Sequence, residues 1–153
     1  VITEEMLANA AYHDHANNGN DAKFSFIVTT PVSEYSDGVE AWGCPECGYV
    51  EYSGPISAYD FFNDTTARKL KVAQAGQTIH IDARQWVSFS KEVIDAMRAR
   101  QDDITIELVY NSNGQLSTLT IPRGTDFSEV PEDKYTGMDF LALKLNIAPV
   151  PKN

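Results

Sequence analysis

The sequence predicts an α+β fold, in which a small β part that contains the cysteines precedes an antiparallel sheet carrying one main helix. Three observations lead to this prediction. Residues 88–100 repeat apolar side chains at helical spacing. Residues 104–121 alternate apolar and polar side chains around an Asn-Gly pair. The two cysteines of the chain, Cys44 and Cys47, stand between short segments rich in β-prone residues.

The composition is that of a soluble globular protein, with 42% hydrophobic and 22% charged residues in a chain of 153 residues. No apolar run is long enough to span a bilayer, so we expect no membrane insertion. We divide the chain into an acidic subdomain at residues 1–57, an α+β subdomain at residues 58–148, and a tail or linker at residues 149–153.

The net charge of -10 is unevenly distributed along the chain. Residues 1–65 hold eleven acidic residues and one basic residue, Lys23, whereas the remaining residues hold eleven of each sign. A negative field of this kind repels phosphate backbones and anionic lipid surfaces. The sequence therefore predicts no nucleic-acid partner and no binding to an anionic membrane surface.

The N-terminal part begins with a short predicted helix at residues 3–11, where Thr3 is the N-cap. Residues 24–30 alternate as a strand does and stop at Pro31. Residues 39–42 and 49–52 flank the cysteines with β-prone side chains, which predicts a hairpin with the cysteines at its tip. The Ser53-Gly54-Pro55 sequence is expected to end that hairpin.

Residues 56–72 give mixed signals, and because Asn63-Asp64-Thr65-Thr66 is poor helical material we predict a broken helix there. Residues 78–82 alternate as a strand. The clearest helix runs from Ser88, its predicted N-cap, to about Arg100. Its apolar stripe consists of Phe89, Val93, Ala96 and Met97.

The hairpin at about residues 104–121 is supported by two independent features. Asn113-Gly114 favours a type I′ turn. Pairing through that turn places Leu108 opposite Leu119 and Ile106 opposite Ile121, so the apolar residues share one face. Residues 138–147 are then predicted as a closing strand, with one side formed by Leu141, Leu143, Leu145 and Ile147.

A metal site is predicted from the Cys44-Pro45-Glu46-Cys47-Gly48 turn, which directs two sulfurs toward one point. Two cysteines make half of a tetrahedral site. His13 and His15 are two positions apart, so in an extended segment both imidazoles point to one side and complete a Cys2His2 set. Four protein ligands close the coordination shell, and the zinc would be structural. The fold class is thus α+β with a small zinc-knuckle or ribbon-like β N-terminal part.

The sequence also allows alternatives in which the two cysteines and the two histidines bind no metal. In an exported chain Cys44 and Cys47 would form a local disulfide without metal, or they would stay reduced and empty. The alternative to metal binding for His13 and His15 is that both are solvent-exposed residues of a loop. A thioredoxin-like redox role is disfavoured because that motif places its cysteines at a helix N-terminus, whereas strand-like segments stand on both sides here.

Aromatic residues are frequent in the acidic half, and Trp42, Tyr49 and Tyr52 are candidate ligand-binding residues. Exposed aromatic faces beside carboxylates are a common way to bind sugars. The alternative is that these rings pack the small β core. We assign no role to His80, which falls within a strand pattern.

We predict no catalytic residue and no enzymatic activity. The sequence contains no G-x-S-x-G, no P-loop and no dinucleotide fingerprint. A small metal-dependent hydrolase is a further alternative, and it would need an open metal position or a cleft with converging acids.

The order of motifs in the first half resembles a known family of modules. His13-x-His15, Thr30-Pro31, Asp37-Gly38 and Cys44-x-x-Cys47-Gly48 are similar to His-x-His and Cys-x-x-Cys-Gly modules in secreted and cell-surface proteins of Gram-positive anaerobic bacteria. Many of those modules carry a further cysteine shortly after the proline, where this chain has Ser33. The second half resembles a helix-plus-hairpin module that often accompanies them. That likeness rests on Thr78 to Asp82 before Trp86, Ser88-Phe89, Ile104 to Tyr110, Leu119 to Pro122 and Thr136 to Phe140.

The resemblance implies an extracellular or wall-attached building block without established catalysis. We expect an adhesin-like protein that is secreted or located at the cell surface, with its signal segment removed. The expected function is a non-catalytic structural or interaction module with a structural zinc. Its expected partners are other modules of the same parent chain and a surface glycan or protein. The alternative function is a carbohydrate- or ligand-binding adhesin module.

Overall fold

The computed structural model describes residues 25–44 and 50–152, with the side chains of residues 25, 26 and 50–52 left aside. The described residues form an α+β fold with three helices and several sheets, as the sequence predicts. The chain divides into two compact units, Val1–Phe61 and Phe62–Asn153. The subdomain boundaries assigned from the sequence stay a prediction.

The described part of the first unit is a three-stranded antiparallel sheet in the order β1-β2-β3. Its strands are β1 (Ser25–Thr30), β2 (Gly38–Gly43) and β3 (Val50–Ile56). The strand before Pro31 and the strands on both sides of the cysteines are therefore confirmed. The helix predicted at residues 3–11 lies outside the described residues.

The predicted end of the hairpin at Ser53-Gly54-Pro55 is wrong, because β3 continues to Ile56 and Pro55 pairs with Val39. In the described part of the chain β3 pairs with β2 alone. Proline is compatible with such an edge strand when its missing N–H faces away from the neighbouring strand.

A single helix, α1 (Ala58–Val72), occupies the segment predicted as broken. Its start is well supported, since the Asp37 carboxylate accepts the Ala58 N–H at 2.7 Å and the Ser57 hydroxyl accepts the Asp60 N–H at 3.2 Å. Asn63 is buried, and its side-chain oxygen accepts the Ser90 N–H at 2.8 Å. Tertiary partners thus compensate for the poor helical propensity of the Asn63 segment.

The second unit is built on a four-stranded sheet in the order β4-β6-β7-β9. Its strands are β4 (Thr78–Asp82), β6 (Thr105–Ser112), β7 (Gln115–Ile121) and β9 (Val150–Pro151). The sheet is mainly antiparallel, and the pairing of β4 with β6 is parallel. The segment between them contains a helix, which is the kind of crossover that parallel neighbours require.

The β6–β7 hairpin is confirmed in both its turn and its register. Leu108 pairs with Leu119, and Ile106 pairs with Ile121. Asn113 and Gly114 have φ values of 49° and 82°, as a type I′ turn requires at both central positions.

The predicted main helix is α2 (Lys91–Ala99), with Ser90 rather than Ser88 at its N-cap. Residues 88–90 form instead a short strand, β5 (Ser88–Ser90), which pairs with β8 (Tyr135–Gly137). The helix starts later than predicted because strand pairing fixes its first residues in an extended conformation.

The closing strand predicted at residues 138–147 is wrong, because these residues form a helix, α3 (Met138–Leu145). Its buried residues, Met138, Leu141, Ala142 and Leu145, follow the helical repeat rather than an alternation of two. Asn146 ends the helix with a left-handed conformation, φ 59°. The sheet therefore carries more than the one main helix that we predicted.

The tail predicted at residues 149–153 also contains structure. Val150 pairs with Thr118, Pro151 pairs with Ser117, and the Lys152 N–H donates to the Leu116 carbonyl at 2.8 Å. These residues therefore extend the sheet as β9.

The apolar core of the second unit lies on one face of this sheet. The fully buried members include Leu108, Leu119, Phe89, Met97 and Leu141, contributed by β6, β7, β5, α2 and α3. The opposite face of β4 and β6 is more exposed, as the alternating burial of both strands shows. None of the helices in the described residues is long and apolar enough to cross a membrane.

Candidate functional site

Of the four predicted zinc ligands, Cys44 is the one that the structure describes. It directly follows β2 and is fully buried. His13, His15 and Cys47 lie outside the described residues, and so does Tyr49. No group of three or more His, Cys, Asp or Glu side chains within residues 25–44 and 50–152 is arranged to hold a metal ion. The Cys2His2 site stays a prediction.

The strands on both sides of the cysteine segment are paired with each other. β2 and β3 are antiparallel, and Gly43 pairs with Val50 at the end of the ladder. Residues 44–49 therefore connect two paired strands, and the chain enters β3 three residues after Cys47. A thioredoxin-like motif would continue from its cysteines into a helix. The strand at this position favours a knuckle over that redox motif.

The register of the first sheet brings aromatic positions together. Phe26 pairs with Trp42 on one side, and Trp42 pairs with Tyr52 on the other. The three are thus paired backbone positions across the strands, and we call these positions the aromatic row. The sequence singled out Trp42 and Tyr52 but missed Phe26, because the pairing of β1 with β2 is a tertiary property.

The face of β2 that carries Trp42 is partly open. Trp42 is half-buried, and so is Glu40 two residues before it. Val28, which pairs with Glu40, is 59% exposed. Ala41 points to the opposite face and is buried. Trp42 and the Glu40 carboxylate therefore lie on the more accessible face of β2.

A second cluster of polar groups surrounds Asp139 in the second unit. Its Oδ1 accepts the Tyr110 hydroxyl at 3.0 Å and the Ser112 hydroxyl at 2.5 Å, and its Oδ2 accepts the Asn113 N–H at 3.4 Å. Burial raises the pKa of the Tyr110 hydroxyl, and the adjacent Asp139 carboxylate raises it further. Tyr110 is therefore a neutral donor at physiological pH, and Asp139 joins α3 to the β6–β7 turn.

The sequence missed Asp139 because nothing local distinguishes it. It lies in the first turn of a segment that we predicted as a strand, and its partners are 26 to 29 residues earlier in the chain. The Asn113-Gly114 turn was the available signal, since it fixes where β6 ends and hence which residues α3 meets.

His80, to which we assigned no role, is 71% exposed on the open face of β4. Its Nδ1 lies 3.5 Å from Glu107 Oε1. Nearby, Arg84 donates two hydrogen bonds to Asp82, which hold the pKa of that carboxyl below its usual value. These groups line a shallow depression of about 160 Å³ together with Lys152. His80 faces Glu107 and Arg84 is hydrogen-bonded to Asp82 there, so the geometry indicates a solvated sheet face.

Comparison of the chain with protein-family models, with curated proteins and with solved structures finds no match. The function is therefore argued from the chemistry of the residues themselves. Two features carry such an argument in the first unit: the cysteine-bearing connection between β2 and β3, and the aromatic row.

Proposed function

We propose that the chain is a non-catalytic structural and interaction module of an exported surface protein, whose first unit is stabilised by one zinc ion. The ligands are His13, His15, Cys44 and Cys47. The observation that carries the proposal is the position of Cys44, buried at the end of β2 where an antiparallel pair encloses the Cys-x-x-Cys sequence. Short antiparallel strands that lead into and out of such a turn are the usual frame of a zinc knuckle.

Few apolar side chains are buried among the described residues of the first unit, which supports the proposal of a stabilising metal. The buried apolar residues of this unit, among those the structure describes, are Ala41, Cys44 and Ala58. The large core cluster begins at Phe62 and belongs to the second unit. A small sheet with few buried apolar groups needs a staple such as zinc, because burial alone does not offset the loss of chain entropy.

The zinc is proposed to be structural rather than catalytic. Four protein ligands fill a tetrahedral shell and leave no position for an activated water. The excess of acidic residues among positions 1–65 repels anionic polymers. The module would then present its exposed faces to other modules of the parent protein or to surface partners.

Zinc content tests this proposal. The purified protein is expected to hold about one zinc per chain, and His13→Gln or His15→Gln should reduce the bound zinc at least tenfold under competition with a chelator. His80→Gln is the matched control, since His80 is an exposed histidine of the second unit. Full zinc content in both histidine variants would reject this ligand set. Absence of zinc together with a Cys44–Cys47 disulfide would reject the metal altogether.

A second candidate function is supported by the aromatic row. Phe26, Trp42 and Tyr52 occupy paired positions across three strands, and Glu40 lies on the same face of β2 as Trp42. Aromatic faces beside a carboxylate can stack on the apolar side of a sugar ring while the carboxylate accepts hydroxyl hydrogen bonds. This arrangement favours a carbohydrate ligand over an anionic one.

A glycan array tests the second function. If the aromatic row binds sugars, the protein should bind at least one glycan and Trp42→Ala should weaken that binding about tenfold or more. Tyr135→Ala is the control, because Tyr135 is 52% exposed in the second unit. Binding that survives Trp42→Ala, or that Tyr135→Ala removes equally, would contradict the assignment to the aromatic row.

A further inference from the structure

An open depression of about 520 Å³ lies between the β6–β7 turn and α3 with the residues that follow it. The residues that line it include Ser112, Asn113, Asp139, Leu143 and Ile147. Its volume falls in the range of ligand sites in proteins. All of these residues belong to the second unit, so the depression is independent of the proposed zinc site.

The polar group of the depression is the Asp139 carboxylate. A carboxylate offers about four acceptor positions, and Asp139 uses three of them on the Tyr110 hydroxyl, the Ser112 hydroxyl and the Asn113 N–H. All three donors are neutral. Across residues 25–44 and 50–152, the ion pairs formed by basic side chains go to other carboxylates. Among the described residues, the Asp139 carboxylate is thus hydrogen-bonded by neutral groups and not by a basic side chain.

The walls of the depression are aliphatic. Leu143 lies on the outer side of α3 and is 73% exposed. Ala142, Ile147 and Pro149 continue the apolar lining. The nearest basic residue of α3, Lys144, stands over the Phe140 ring at 5.4 Å. The lining thus combines a long aliphatic surface with one carboxylate at its edge.

We propose that this depression, which we call the Asp139 pocket, binds a lysine or arginine side chain of a protein partner. Such side chains have an aliphatic stem and a cationic head. The stem would lie along Leu143 and Ile147 while the head reaches the remaining acceptor position of Asp139. A sugar fits less well, because none of the lining residues is aromatic. An anionic ligand is disfavoured by the carboxylate.

The pocket is tested by titrating the protein with acetylated, amidated tripeptides and following backbone amide signals by NMR. Ala-Lys-Ala should shift the signals of Asn113 and residues 139–149, and it should bind about tenfold more tightly than the same peptide with norleucine at its centre. Ala-Glu-Ala should bind more weakly still. Equal affinity for the lysine and norleucine peptides would overturn the proposal.

Amino-acid substitutions test whether the lysine peptide binds in the Asp139 pocket. Asp139→Asn keeps the shape of the side chain and should weaken the lysine peptide about tenfold, while Asp133→Asn, which alters an exposed carboxylate elsewhere, should not change it. Leu143→Ser should weaken binding about threefold and leave the fold intact, because Leu143 is largely exposed. If Asp139→Asn unfolds the protein, the binding measured for Leu143→Ser tests the proposal instead. The proposal would be rejected if the Leu143→Ser protein, or a folded Asp139→Asn protein, bound the lysine peptide as tightly as the unchanged protein does. The role of Asp139 would then be only to join α3 to the β6–β7 hairpin.

Discussion

Removal of zinc by a chelator is expected to unfold the strands of the first unit while the second unit stays folded. Apparent binding free energies at structural Cys2His2 sites are on the order of 10–16 kcal/mol, and this binding energy is also folding energy. The described part of the first unit buries few apolar side chains, Ala41 and Ala58 among them. The second unit has its own core from Phe62 to Leu145. Amide hydrogen exchange would show protection lost in β1–β3 and kept in β4, β6 and β7.

Chelator already saturated with zinc is the control for this experiment, and adding zinc back should restore protection in β1–β3. Retained protection in those strands after complete removal of zinc would show that ordinary packing stabilises the first unit. Loss of protection in β6 and β7 as well would show that the two units unfold together. Either result would contradict the expected outcome.

Arg100→Met is expected to lower the free energy of unfolding of the second unit by about 2–4 kcal/mol. The Arg100 guanidinium donates to the backbone carbonyls of Leu70, Lys71 and Ala73 at 2.9, 3.1 and 2.6 Å. It also pairs with Asp103 at 3.0 Å. The last carbonyls of a helix have no partner within the helix, so the substitution leaves the C-terminal end of α1 unsatisfied.

Urea unfolding measures this effect, and two further variants show its origin. Arg100→Lys should recover only part of the stability, because one ammonium group cannot reach all three carbonyls in the planar arrangement that a guanidinium provides. Arg123→Met should cost less than 0.5 kcal/mol, roughly the effect expected at an exposed surface position. A loss for Arg100→Met as small as that of Arg123→Met would mean that water satisfies the end of α1 equally well.

Parts of the fold follow from local chemistry and were predicted correctly. The β6–β7 hairpin is one, because the Asn113-Gly114 turn and the apolar alternation of both strands require the same register. The strand at β4 is another, since the alternation in Thr78–Asp82 is unbroken. In both cases the residues that determine the structure are neighbours in sequence.

The candidate sites were predicted less completely for a physical reason. Cys44 and the strands beside it are visible in the sequence, because a Cys-x-x-Cys turn between β-prone segments is a local pattern. The aromatic row depends on how β1 pairs with β2, and the Asp139 pocket depends on where α3 meets the hairpin turn. Both bring together residues from distant parts of the chain, which no local pattern specifies.

The sequence by itself determined the α+β class, the hairpin with its turn, and the presence of strands around the cysteines. The tertiary structure decided that residues 138–145 are a helix and that β4 runs parallel to β6. Leucines at positions 141, 143 and 145 satisfy a strand alternation, but Leu141 and Leu145 also satisfy a helical repeat. Packing resolved the ambiguity by burying Leu141 and Leu145 and leaving Leu143 exposed, because a helix presents these residues to the core and a strand would have presented all three.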